Sequence, residues 1–237
     1  MTARRWVVMA ALPIALALSS AAAAQQVAYA ATAVSELDSA TRAAVVRELG
    51  RAQARGLPMQ PLVAKVREAQ VKRAAPARIR VAVAALSARL DSARSALGPA
   101  SNVAEIVAGA DAIAAGADPA SLRAVRAASG ARDLSAPLGA LAQLIASGVD
   151  PRRATQMIVE LLRKDAGPRE LLAFGNAVET DVGAGVPAEE SAIFRLRAIE
   201  TQGIGADRLT VSAPGLEPTS LAQPPTGGSS GGTKRRP

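Results

Sequence analysis

The sequence predicts an all-α chain: antiparallel helix pairs, each an αα-hairpin, assembled as an irregular bundle or a short α-solenoid, with a disordered C-terminal tail. Three observations carry this. The chain is half hydrophobic but only 2% aromatic, and alanine-rich, aromatic-poor sequence suits close-packed helices better than sheets. Apolar residues recur at helical spacing, and no window alternates convincingly with β-branched residues. Segments of similar length are bounded by glycine at one end and proline at the other.

The first 24 residues stand apart. Arg4 and Arg5 precede an apolar run from Trp6 to Leu18, then the small residues SSAAAAQQ. A basic start, a short apolar stretch and an Ala-x-Ala pattern before Gln25 form a secretory signal peptide; an uncleaved anchor is the competing reading, against which the apolar run is short. The expected location is therefore periplasmic or extracellular. An exported domain often leans on disulfides, and this chain has no cysteine. It must rely on a core, which the residues after the signal are numerous enough to form. Phe174 and Phe194 are the expected core aromatics.

Residues 25–35 read as a flexible lead and 36–202 as the helical domain. Within it, GLPMQPLVAKVREAQVKRAAP (56–76) aligns without a gap on GVDPRRATQMIVELLRKDAGP (148–168). Both begin with Gly and end with Pro. GADPASLRAVRAASGARDLSAP (116–137) fits with one extra residue, and GVPAEES opens a further unit at Gly185. The glycines can close a preceding helix in the left-handed conformation. Asp118 and Asp150 can cap the next helix, with Pro119 and Pro151 at its first position. Pro76, Pro137 and Pro168 each open a partner helix. The units resemble α-solenoid arrays in general build, without the consensus of a named repeat family.

Helices are expected near 36–55, 59–73, 76–97, 102–115, 119–130, 137–147, 151–165, 168–183 and 188–201. Ala154, Met157, Ile158, Leu161 and Leu162 make one stripe. Ile79, Val83, Leu86, Leu90, Ala93 and Leu97 make another, too short for an independent coiled coil and so expected to pack within the chain. Residues 203–237 are rich in Pro, Gly and Ser and are expected to be mostly disordered, because such composition buries too little apolar surface to offset chain entropy.

The chemistry is defined by what the chain lacks. There is no histidine and no cysteine, which removes the usual general base, the thiol nucleophile and the imidazole and thiolate metal ligands. No catalytic, cofactor or metal site is predicted. Glu189 with Glu190, and Glu179 with Asp181, are carboxylates close in sequence, but neighbours on a helix point apart. The first pair suits a helix's first turn; the second reads as solvated charge. Asp111 and Asp118 are separated mostly by alanine and read as helix and cap. Ser135, Ser147 and Ser191 have no histidine to activate them, and Lys65, Lys72 and Lys164 read as surface.

The net charge is +8; without Arg4 and Arg5, 26 basic residues remain against 20 acidic. The arginines read as solvated charge on helical faces. Lys234, Arg235 and Arg236 are the one dense basic cluster and the candidate contact for a polyanion or anionic lipid. Absent stacking aromatics, together with export, argue against nucleic acid. The leading expectation is a non-catalytic interaction or scaffolding protein whose partner is another envelope or extracellular protein. An anionic envelope polymer or membrane surface is the second reading, and a carboxylate-only hydrolase the remote third. If the signal reading holds, mass spectrometry of protein recovered from the envelope finds a chain beginning at Gln25; an intact N-terminus would mark an anchor instead.

Overall fold

The computed structural model describes residues 33–130 and 132–202. All regular structure among them is helical: α1 (Ser39–Ala54), α2 (Met59–Val71), α3 (Pro76–Leu97), α4 (Val103–Ala115), α5 (Pro119–Ser129), α6 (Ser135–Ala146), α7 (Pro151–Arg163), α8 (Pro168–Gly183) and α9 (Ala188–Gln202). The expected signal peptide, most of the flexible lead and the tail with Lys234, Arg235 and Arg236 lie outside the described residues.

The helix starts follow from capping. Asp118 accepts from Ser121 N at 2.7 Å, and Asp150 from Arg152 N and Arg153 N at 3.0 and 3.1 Å. Pro76, Pro119, Pro151 and Pro168 stand in the first turn, where a missing N–H costs nothing. Three starts differ from the expected ones; α4 begins at Val103, one residue late, because Asn102 is its cap. α1 begins at Ser39 rather than residue 36, because Asp38 caps it by accepting from Thr41 N at 3.0 Å. α6 begins at Ser135, so Pro137 lies inside its first turn, where N–H groups are still free of intrahelical partners.

The helix ends follow from reversal. Gly56, Gly116, Gly148 and Gly185 all have positive φ, and the N–H of the next residue reaches back across the last turn: Leu57 to Ala52, Ala117 to Ala112, Val149 to Leu144, Val186 to Asp181, at 2.9–3.0 Å. The same closure occurs where the sequence offers no glycine. Arg73 (φ 50) and Asp165 (φ 59) take the left-handed conformation, with Ala74 N on Ala69 O and Ala166 N on Leu161 O. That is why α2 and α7 stop short of residues 73 and 165.

Packing skips one helix at a time. α1 packs on α3, α3 on α5 and α5 on α7; opposite them, α4 packs on α6 and α6 on α8. α3 and α4 join the two files, and α9 lies on α8. α1 and α3 run parallel: Arg80 reaches Thr41 near their starts (2.8 Å), and Arg55 reaches Asp91 toward their ends (3.0 Å). Gly109 permits the close approach of α4, since a Cβ there would sit 3.1 Å from Ala93, Leu97 and Leu122 side-chain carbons.

The core is built from Leu, Val, Ile and Ala. Every member of the α7 stripe is buried, and the α3 stripe is buried except for the half-exposed Leu86, packing on neighbouring helices of the same chain. Phe174 is fully buried, but Phe194 is 38% exposed. The expectation that it joins the core fails because α9 turns Ser191, Ala192, Arg195 and Ile199 inward and leaves residue 194 outside that stripe.

A left-handed backbone costs a residue with a side chain about 1–2 kcal/mol, against roughly 0.5–1 kcal/mol of extra chain entropy for glycine. Arg73→Gly is therefore expected to raise stability by about 0.5–1 kcal/mol, read as a higher urea midpoint at unchanged slope.

Candidate functional site

Two carboxylates of the helical region, those of Asp181 and Glu105, are buried and committed to structure. Asp181, expected as solvated charge, is buried between α8 and α9. Its Oδ1 accepts from Arg195 Nη2 at 2.7 Å, and its Oδ2 from Arg195 Nε at 2.9 Å and Ser191 Oγ at 2.6 Å. The Arg195 and Ser191 bonds hold its carboxyl below the usual carboxylate range, against the opposing effect of burial. Ser191 is thus a donor to a carboxylate that Arg195 also holds. Glu179, by contrast, is exposed and accepts from Gln143 Nε2 at 2.5 Å. Glu189 and Glu190 occupy the first turn of α9.

Glu105 is also buried. It accepts from Asn102 N, closing a capping box, and from Leu134 N at the entry to α6, both at 3.0 Å. Hydrogen bonds from Lys65 and Lys72 bring the pKa of the half-buried Glu68 down to about 2. Desolvation raises the Asp111 carboxyl although the residue as a whole is exposed, and its charged neighbours Arg89 and Lys65 pull the other way. A carboxylate hydrolase needs an acid and a base facing one cleft with their pKa values pushed apart. Asp181 and Asp111 are shifted in opposite directions, yet each has cations for charged neighbours. Among the described residues, no group of three His, Cys, Asp or Glu is placed to hold a metal.

The arginines divide into two populations. One is structural, contrary to the expectation that they are solvated charge throughout. Arg42 bonds Val34 O, Ser35 O and Leu37 O at 2.7–3.1 Å. Arg94 donates to Gly56 O, Arg126 to Leu97 O and Arg132 to Leu162 O. In each case a guanidinium satisfies a carbonyl at a helix end or turn that has no intrahelical donor. Its forked donors suit this better than a lysine ammonium would.

The other population is free. Among the described helices, Arg47, Arg78, Arg123, Arg152, Arg153 and Arg163 are exposed and their guanidinium groups carry no hydrogen bond or ion pair, although Arg152 lies close enough to Asp118 to lower its carboxyl pKa. All six lie on α1, α3, α5 and α7, a file with 12 basic and 3 acidic residues; α4, α6 and α8 together hold 1 basic and 5 acidic. Lys65, Lys72 and Lys164, by contrast, are paired with Glu68 and Glu160. The same file carries a cavity of ≈ 150 Å³ between α1 and α3, floored by Val45, Val83 and Ala84 and edged by Glu48, Arg51 and Arg80. Sequence reading missed this segregation because it appears only when alternate helices are set side by side.

No family model, curated protein or solved structure matches this chain. No described helix is long and apolar enough to cross a membrane.

Removing one partner of a buried ion pair strands the other, at a cost of about 3–5 kcal/mol. Asp181→Ala is expected to destabilise by that order, and Asp181→Ala combined with Arg195→Met by clearly less, in a denaturation cycle. Because the folded Asp181 pKa is depressed, its contribution is full above the ordinary carboxylate range and fades as pH falls through the folded value. The wild-type stability advantage over the double variant should shrink in that acidic window and nowhere above it.

Proposed function

We propose that this chain is a non-catalytic, exported interaction or scaffolding protein, built from αα-hairpin units stacked as a short α-solenoid. The observation that carries this is the next-but-one packing of α1, α3, α5 and α7 against each other and of α4, α6 and α8 against each other. Stacking of that kind yields two extended faces and no single deep cleft. The shared punctuation of 56–76 and 148–168 supports a repeated unit. Each has a left-handed first residue (Gly56, Gly148) and a left-handed eighteenth (Arg73, Asp165), and each ends on a proline that starts a helix.

Export rests on residues 1–24 alone: the basic start, the short apolar run and the Ala-x-Ala pattern. The non-catalytic reading rests on where the polar groups go. Asp181, Glu105 and Ser191 are spent on joints between helices, which leaves the carboxylate hydrolase with exposed acids and no activated pair. The partner expected is another envelope or extracellular protein.

The test is capture of tagged protein from its own envelope after mild crosslinking, with low-salt and high-salt washes. The identified partner is then purified and mixed with the chain in analytical ultracentrifugation. A defined-stoichiometry complex that persists at high salt supports the scaffold. Recovery of no protein at either salt, or of proteins that fail to re-form a complex when purified, overturns it.

A further inference from the structure

We propose that the outward face of α1, α3, α5 and α7 binds a linear acidic polysaccharide. This goes beyond the interaction-protein reading, adding a second partner class on one face.

The argument starts from the unpaired arginines. On a 3.6-residue helix, Arg47, Arg123, Arg152 and Arg163 fall on the side away from their helix's buried stripe. Arg78 and Arg153 stand on the shoulders. The four helices pack in sequence, so at about 8–10 Å per helix step the cations recur across a face some three steps wide. An isolated exposed arginine is ordinary. Six on one file, with none among the helices of the other, form a directional field that raises the local concentration of anions. Two structural arginines add to it, since Arg42 and Arg94 bond neutral carbonyls and keep their charge.

The chemistry of the face selects among polyanions. Nucleic acid calls for stacking platforms when single-stranded, and α1, α3, α5 and α7 contain no aromatic residue. A membrane surface calls for large apolar side chains that enter the headgroup layer beside the cations. The exposed large hydrophobics of this file are Val46 and Val81 only. A polyuronate chain needs neither. It offers a carboxylate on every sugar or every second sugar, and guanidinium forks donate to a carboxylate two bonds at a time.

The experiment is titration of the purified chain, tail included, with heparin and with polygalacturonate, over a salt series from about 50 to 200 mM. Anionic vesicles of phosphatidylglycerol and phosphatidylcholine form a parallel arm. Wild type should bind both polymers and weaken steeply with salt. Arg47→Gln, Arg123→Gln, Arg152→Gln and Arg163→Gln combined should lose at least tenfold in affinity and show a shallower salt slope, with an unchanged melting curve. Lys234→Gln, Arg235→Gln and Arg236→Gln combined should keep most of the affinity. Failure of wild type to bind, loss in the tail variant but not the helical one, or binding to vesicles alone would each overturn the proposal. A protein complex that survives high salt in the fourfold variant would show that the scaffold reading stands without the polysaccharide.

Discussion

One turn governs this structure: a left-handed residue followed by an apolar one whose N–H reaches back over the last helical turn. It closes α1, α2, α4, α6, α7 and α8. The closure does two jobs at once. It satisfies carbonyls that no intrahelical donor can reach, and it drives the following apolar residue inward. Leu57, Ala117, Val149 and Ala166 are all buried there. Each turn thus fixes the direction of the next helix by burying its own hinge. A chain with no disulfide and one buried phenylalanine in its described helices has few other means of fixing interhelical angles.

Arginine holds the ends of α3 and α5 and reinforces the turns after α1 and α7, and this explains an otherwise odd composition. A basic residue that donates to carbonyls of a neighbouring segment stabilises a joint without needing an acid beside it. Arg94 does this across 38 positions of sequence; Arg126 and Arg132 reach across 29 and 30, each with an acid nearby as well, Glu105 at 3.8 Å and Asp165 at 3.6 Å. The excess of arginine over acids is therefore partly a structural requirement. Its consequence is electrostatic: charge accumulates on the file where the clasps start, while α4 and α6, buried more deeply in the middle of the other file, contain no basic residue at all. Construction and surface field arise from the same side chains.

Local chemistry was legible and non-local chemistry was not. Caps at Asp118 and Asp150, prolines at helix starts, glycines at helix ends and the α7 stripe are all written within a few residues of each other. Arg73 was not legible as left-handed, because arginine does not signal it, and Asp165 signals it only weakly; their equal distance from Gly56 and Gly148 is the stronger hint. Asp181 looked like solvated charge because its partner lies one helix on. The hint available was Ser191 and Arg195 at i and i+4, which places two donors on one helical face. Phe194 misled for the opposite reason: large apolar residues are usually inside, but a helix that packs on one neighbour has room for only one buried stripe.

That last helix shows what the buried ion pair is for. α9 contributes only Ala192 and Ile199 to the fully buried apolar set among its described side chains, little for fifteen residues. Apolar burial that sparse fixes neither rotation nor register, since a shift along α8 would exchange one small contact for another. Arg195 removes the degeneracy. Its two bonds to Asp181, joined by that from Ser191, form in one alignment only, and any slip leaves a charge buried without a partner, which costs far more than a lost methyl contact. The pair need add little net stability to be decisive. By excluding the other registers it places α9, and with it the exposed Phe194, in a single position against α8.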